Sequence, residues 1–118
     1  MDQPTPVVSP DDILRLIRRD FPGDQVETVV ALLARYGSQS HEPERHRVHA
    51  AILKLANGDL EVLERQVSQA RMDYRDTLAP AEYPEYMRKV PGPNKVPDDE
   101  RERIIAADWR QYKQWFDR

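Results

Sequence analysis

The chain has 118 residues, of which 39% are hydrophobic and 33% charged, and its net charge at pH 7 is −3. A chain of this length and composition can form one globular domain with a hydrophobic core, but it is too short for two independent cores. Because the charges are spread along the chain without a basic cluster, we expect no affinity for nucleic acid or for membrane surfaces. The absence of cysteine excludes disulfides, thiolate nucleophiles and cysteine-based zinc sites.

The sequence predicts a cytoplasmic protein. Its first residues lack the basic region and the apolar core of a signal peptide. No apolar run reaches the roughly 18 residues needed to cross a bilayer, so we expect no membrane segment. A chain without cysteine also agrees with a reducing compartment.

The first eight residues differ in character from the rest. Residues 1–8 contain two prolines and show no periodicity, so we predict a flexible N-terminal arm. In 9–118 the apolar residues recur at helical spacing, and no segment alternates with the period of two that is typical of a strand. We therefore predict a single helical domain over 9–118.

The first two predicted helices form an antiparallel hairpin. Ser9 is a favourable N-cap for the first helix, which should end at Phe21. The second should begin at Asp24, which forms a capping-box pattern with Glu27, and should end at Gly37. The residues assigned to the apolar stripes of the two helices are Ile13, Leu14, Ile17, Phe21, Val26, Val29, Val30 and Leu33.

The next two predicted helices form a second hairpin. The third helix should begin at Pro43 and end at Asn57, and it is apolar on two sides, which predicts a position at the centre of the fold. The fourth should begin after the N-cap Asp59 and end near Leu78, because Pro80 disfavours helix in the preceding residue.

A proline-rich crossover leads to the last helix. Residues 80–97 hold five of the ten prolines, and we expect at most one helical turn, over 85–89, with the Pro-Gly-Pro at 91–93 outside any helix. Pro97 opens the last helix, whose apolar stripe is formed by Ile105, Trp109, Tyr112 and Phe116. The predicted fold is all-α: a compact bundle of about five helices, built from two αα-hairpins, the crossover and a C-terminal amphipathic helix.

Two stretches of the sequence carry a resemblance. Residues 50–88 (AAILKLANGDLEVLERQVSQARMDYRDTLAPAEYPEYMR) and 103–118 (RIIAADWRQYKQWFDR) together resemble a group of small bacterial helical proteins. The resemblance implies a single bacterial domain. It implies no function and supplies no site residues.

Three side chains near the third helix form a possible metal site. If the helix includes Glu42, then Glu42, His46 and His49 share one face, with separations of four and three residues, and a divalent metal becomes possible. Against this, Glu42 precedes a proline, and neither the H-E-x-x-H nor the E-x-x-H spacing occurs. We favour a polar helix edge over a metal site.

Acidic residues cluster around the tyrosines of the crossover, but the sequence cannot show whether any two carboxyl groups face each other across a cleft as a catalytic pair requires. We expect a local role instead, in which Arg71, Arg75 and Asp76 hold the tyrosine–proline segment against the fourth helix. No glycine loop for phosphate is present, and we expect no cofactor. The acidic residues in question are Asp73, Asp76, Glu82 and Glu85.

Aromatic residues of the C-terminal third are the candidate interaction residues: Tyr83, Tyr86 and Trp115. We expect Trp115 to be the exposed aromatic residue of the last helix, since it lies off the centre of the stripe. The leading hypothesis is a non-enzymatic bacterial protein that acts through protein–protein contacts, with another protein or with itself as a homodimer. The alternative is a small enzyme or metal-binding protein that uses His46, His49 and nearby carboxylates.

Overall fold

A computed structural model describes residues 4–90 and 95–118 of the chain. These residues form no strand and contain seven α-helices, so the all-α class is confirmed, whereas the expected number of about five helices is wrong. The helices are α1 (Pro10–Asp20), α2 (Val26–Leu33), α3 (Arg45–Ala56), α4 (Leu60–Met72), α5 (Arg75–Glu82), α6 (Pro84–Lys89) and α7 (Asp98–Asp117). In the part of the chain described here, no helix has both the length and the apolar character needed to cross a membrane.

Helix α3 is the centre of the fold. Seven of its twelve residues are buried, a larger share than in any other described helix. It packs against α1, α4 and α5, which cover it on several sides. The prediction that the third helix is enclosed by its neighbours is therefore confirmed.

Several predicted helix ends are confirmed, because short-range bonds determine them. The Ser9 hydroxyl accepts from the backbone N–H of Asp12 at 3.1 Å, and the Asp12 carboxylate accepts from the N–H of Ser9 at 3.0 Å. Asn57 (φ 49°) ends α3 in the left-handed conformation. The expected end of the second helix at Gly37 is wrong, because α2 ends at Leu33 and the chain continues in a tighter turn, in which the N–H of Tyr36 donates to the carbonyl of Leu33 at 3.0 Å. Asp59 caps α4 through the N–H of the second and third residues beyond it.

Two predicted helix starts are wrong. The second helix begins later than expected, at Val26, because Gly23–Gln25 form a 3-10 turn and no side-chain cap is made. The third begins at Arg45 rather than at Pro43, because Glu44 adopts the left-handed conformation (φ 57°) immediately before it.

The fourth predicted helix is divided into two. It was expected to continue to Leu78, but α4 ends at Met72 because Asp73 is extended and its carboxylate accepts from the backbone N–H of Arg75 at 3.0 Å. This bond starts α5, which then continues through Pro80. The break expected at the proline therefore occurs at Asp73.

The crossover is more helical than expected. Where a single turn is predicted over 85–89, the structure has the six-residue helix α6. Pro84 is its first residue, a position whose backbone N–H would have no acceptor inside the helix, so the proline costs no hydrogen bond. The Pro-Gly-Pro segment at 91–93 lies outside the described residues.

Helix α7 holds the junction between α5 and α6. The carboxylate of Asp108, which is buried, accepts from the backbone N–H groups of Glu85 at 3.1 Å and of Tyr86 at 2.9 Å. Both N–H groups lie in the first turn of α6, where the helix itself provides no acceptor for them. The side-chain amide of Gln111 donates to the carbonyl of Glu82 at 3.3 Å, at the end of α5.

The C-terminal end of α7 is held by α1. Arg15 donates to the carbonyl of Phe116 at 2.9 Å, and Arg19 donates to that of Trp115 at 2.6 Å. The same guanidinium groups lie 4.9 Å and 5.2 Å from the centres of the Phe116 and Trp115 rings. Cations at this end also interact favourably with the helix dipole.

The described part of the N-terminal arm, residues 4–8, contacts α7. Pro6 is buried, and with Val7, Trp109 and Phe116 it lines a cavity of about 30 Å³. Residues 6 and 7 therefore lie beside the aromatic stripe of α7. The division into an arm and a single domain over 9–118 stays a prediction.

The burial of α3 predicts large losses of stability on truncation there. Leu53→Ala and Ile52→Ala each remove a side chain with no exposed surface, so each should lower the free energy of unfolding by about 2–5 kcal/mol. Urea denaturation followed by circular dichroism measures this. Met72→Ala is the control, since Met72 is 82% exposed and should change stability by less than about 0.5 kcal/mol. Losses below about 1 kcal/mol at both core positions would contradict the enclosed helix.

The bond between α7 and α6 predicts a second effect on stability. In Asp108→Asn the amide NH₂ replaces one acceptor oxygen, so a buried backbone N–H of α6 faces another donor, which should cost about 1–3 kcal/mol. Asp99→Asn on the exposed first turn of α7 is the matched control and should be nearly neutral. Equal urea midpoints for the two variants would show that Asp108 does not hold α6.

Candidate binding cleft

A cleft of about 240 Å³ opens between α1, α2 and the start of α3. Helical spacing places apolar side chains of α1 and α2 on its facing walls. Leu14 and Val30 are 38% and 43% exposed, so each lies at the rim, with one face in water. The apolar wall residues are Ile13, Leu14 and Ile17 from α1, Val30 and Leu33 from α2, and Ala34 directly after α2.

One end of the cleft is polar and carries a positive charge. Arg45 and His46 line this end, and the guanidinium Nη2 of Arg45 lies 3.5 Å from Nε2 of His46. The side-chain stem of Arg45 crosses directly over Gly37, where a Cβ atom would lie only 2.3 Å from its Cγ. Glycine at this position therefore serves two purposes, since it allows the positive φ and leaves room for the arginine.

His49 closes the cleft from the side of α3 and is itself buried. Its Nε2 lies 3.0 Å from the carbonyl of Tyr36, a contact that fixes the proton on this nitrogen. Burial lowers the pKa of His49 below its ordinary value, and the nearby Arg45 and His46 lower it further. His49 is therefore a neutral residue that holds the turn after α2 to α3.

Glu42 organises the loop that leads into α3. Its buried carboxylate accepts from the backbone N–H groups of Gly37 at 3.0 Å and Gln39 at 3.3 Å, and from the guanidinium of Arg71 at 3.3 Å. Burial alone would raise the pKa of Glu42, but these hydrogen bonds outweigh it and hold the pKa below its usual value. The carboxylate therefore stays ionised and fixes the loop.

The shared helical face of Glu42, His46 and His49 does not form, because α3 begins only at Arg45. The oxygens of Glu42 accept hydrogen bonds from the loop and from Arg71. Across residues 4–90 and 95–118, no three histidine or acidic side chains are arranged to hold a metal ion.

The acidic residues near the crossover are engaged with separate partners. Glu82 is buried and accepts two parallel bonds from Arg47 of α3, at 2.6 Å and 2.7 Å. Asp73 accepts from Arg75, and Asp76 from the side-chain amide of Gln69 at 3.3 Å. Each of these three carboxylates therefore has a hydrogen-bond donor of its own.

The predicted pinning of the tyrosine–proline segment is wrong for the two arginines, whereas Asp76 does bond to Gln69 of α4, from the first turn of α5. Arg71 contacts Glu42 of the loop before α3, and Arg75 folds back on Asp73. The segment is instead held by α7 through Asp108. The sequence gives no local signal for this, because the bond joins residues more than twenty positions apart.

The aromatic candidates lie in two separate places. Tyr83 and Tyr86 pair edge to face at the start of α6, with ring centres 6.2 Å apart. Trp115 packs against the core and under Arg19 at the far end of α7, and it is half-buried. The expectation that Trp115 is the exposed aromatic residue of this helix is wrong, and none of the three lines the cleft.

Comparisons of the chain with known proteins identify no relative. No family model matches the chain, and neither the curated proteins nor the solved structures include a match.

The lowered pKa of His49 predicts a loss of stability in mild acid. The unfolded chain takes up a proton at about pH 6.5, whereas the folded chain resists it to lower pH. The free energy of unfolding should therefore be at its full value above about pH 6.5 and fall as the pH is lowered from there towards the folded pKa. Urea denaturation at a series of pH values measures this slope.

His49→Gln keeps an N–H donor for the Tyr36 carbonyl and cannot become charged, so the slope between about pH 7 and pH 5 should become smaller. His41→Gln at an exposed position is the control and should leave the slope as it is. If His49→Gln and the unmodified protein show the same slope, another group controls the acid sensitivity.

Proposed function

We propose that this is a non-enzymatic bacterial protein of the cytoplasm that binds another protein through the cleft between α1 and α2. The observation that carries the proposal is the pair of exposed apolar side chains, Leu14 and Val30, on facing walls of one apolar cleft. Single exposed apolar residues are ordinary, but a concave patch of them is typical of a binding site. The absence of cysteine supports the cytoplasmic assignment.

The size of the cleft favours protein side chains over a large cofactor. Its volume of about 240 Å³ lies below the roughly 300–1,000 Å³ that pockets for drug-sized molecules occupy. One or two apolar side chains of a partner fill such a space, in the way that a helix places its apolar residues in a groove.

The chemistry around the cleft supports binding over catalysis. His46 and His49 are neighbours, with ring centres 6.3 Å apart, but one nitrogen of His49 is bonded to the carbonyl of Tyr36. Glu42, the nearest buried carboxylate, is ionised and bonded to the loop. The alternative, a small enzyme or metal-binding protein that uses these histidines, lacks an assembled set of metal ligands among the described residues.

Site-specific photo-crosslinking tests the proposal. A benzophenone side chain is placed at Leu14, at Val30 or at Met72, and the protein is irradiated in its native host cells. Because Met72 is exposed and does not line the cleft, we expect a discrete protein adduct from the two cleft positions and none from Met72. Adding Val30→Glu to the Leu14 probe should remove the adduct, since a charge would enter the apolar wall.

Two outcomes would contradict the proposal. One is the absence of any adduct from both cleft positions. The other is an adduct that forms equally well from Met72, since this would show contact that does not depend on the cleft.

A further inference from the structure

We infer that the partner presents a short amphipathic helix, whose apolar residues enter the cleft and whose carboxylate pairs with Arg45. This inference rests on the proposed function and adds the chemistry that the partner must carry. It follows from the length of the walls, from the charge at one end and from the concave shape.

One wall of the cleft has the length of about two helical turns, since on α1 it extends from Pro10 to Ile17. The facing wall runs from Val30 in the last turn of α2 to Gly37 in the turn that follows the helix. Seven residue steps along a helix cover about 10 Å. A partner helix of two to three turns therefore matches this length, and it places one or two apolar side chains, three or four positions apart, in the cleft.

The charge at the Arg45 end defines the second feature of the partner. In the part of the chain that the structure describes, Arg45 forms no ion pair, whereas the neighbouring Glu44 is paired with Arg47 at 3.6 Å. Gly37 lets the stem of Arg45 lie across the backbone, so the guanidinium is held at the mouth beside His46. Arginine binds carboxylates through two parallel bonds, which makes an aspartate or glutamate the complementary group.

The acidic residue Asp11 restricts where that carboxylate can lie. Asp11 is exposed on the first turn of α1, one turn before the rim residue Leu14. It repels a partner carboxylate on the side of α1. The complementary position is therefore on the side of α3, where Arg45 and His46 meet.

The concave shape favours a different protein over a second copy of this chain. In an isologous dimer the same patch meets itself, and two facing hollows leave empty space between them. A convex element such as a helix fills the cleft without that loss. The occupant is accordingly a helix of another protein.

Charge variants combined with the crosslinker test the inference. With the benzophenone kept at Leu14, Arg45→Glu should lower the adduct yield by about tenfold or more, because a charge-assisted bond becomes a repulsion. Arg45→Gln should give a smaller loss. Arg65→Glu on the exposed face of α4 is the matched control and should change the yield less than about twofold. Circular dichroism confirms that each variant is folded.

Mass spectrometry of the adduct gives the second readout. The crosslinked peptide should have helical apolar spacing and an acidic residue within about one turn of the attachment point. Reversing that residue to arginine in the partner should restore the adduct of the Arg45→Glu protein.

The two proposals fail in different ways. An unchanged yield with Arg45→Glu, while Val30→Glu abolishes the adduct, would overturn the acidic partner and leave the binding cleft standing. An adduct between two copies of this chain would overturn the inference of a different protein. No adduct from the cleft at all would overturn the proposed function itself.

Discussion

The carboxylate of Asp108 accepts the backbone N–H groups of Glu85 and Tyr86, and through this buried contact α7 controls how the second half of the chain is arranged. The contact fixes the start of α6 and, through Gln111, the end of α5, which packs against the central helix α3. A carboxylate without these donors would be costly to bury, so the position of α7 and that of α6 depend on each other. At its other end α7 accepts hydrogen bonds from the arginines of α1, which forms one wall of the cleft.

The loop before α3 determines where the polar end of the cleft lies. The Glu42 carboxylate holds the loop by two backbone bonds, and the Tyr36 hydroxyl donates to the carbonyl of Pro43 at 2.7 Å. His49 joins the Tyr36 carbonyl from α3. The loop is therefore fixed at both ends, and α3 begins where Arg45 can cross Gly37 and reach the mouth of the cleft. Because these buried polar groups of the loop and of α3 all have hydrogen-bond partners, the loop adopts one defined arrangement.

The sequence predicts those features that short-range bonds determine. Ser9 caps α1 and Asn57 ends α3 as expected, because each depends on neighbours within a few positions. The sequence does not predict the break at Asp73, because an aspartate inside an amphipathic pattern is an ambiguous signal. Pro80 is a strong signal for the end of a helix, but in the structure α5 continues through it. The periodicity places Leu14 and Val30 on the apolar stripes of their helices, but both are exposed. Periodicity shows which face of a helix is apolar but not how far its neighbours cover that face.

Removing residues 98–118 tests most directly whether α7 holds the fold together. The deletion takes away the Asp108 carboxylate and also the carbonyls that Arg15 and Arg19 bind. Thermal melting followed by circular dichroism, with size-exclusion chromatography, should show that the fragment 1–97 aggregates or loses its cooperative transition. A monomeric fragment that melts cooperatively would contradict this account, because the first six helices would then fold without α7.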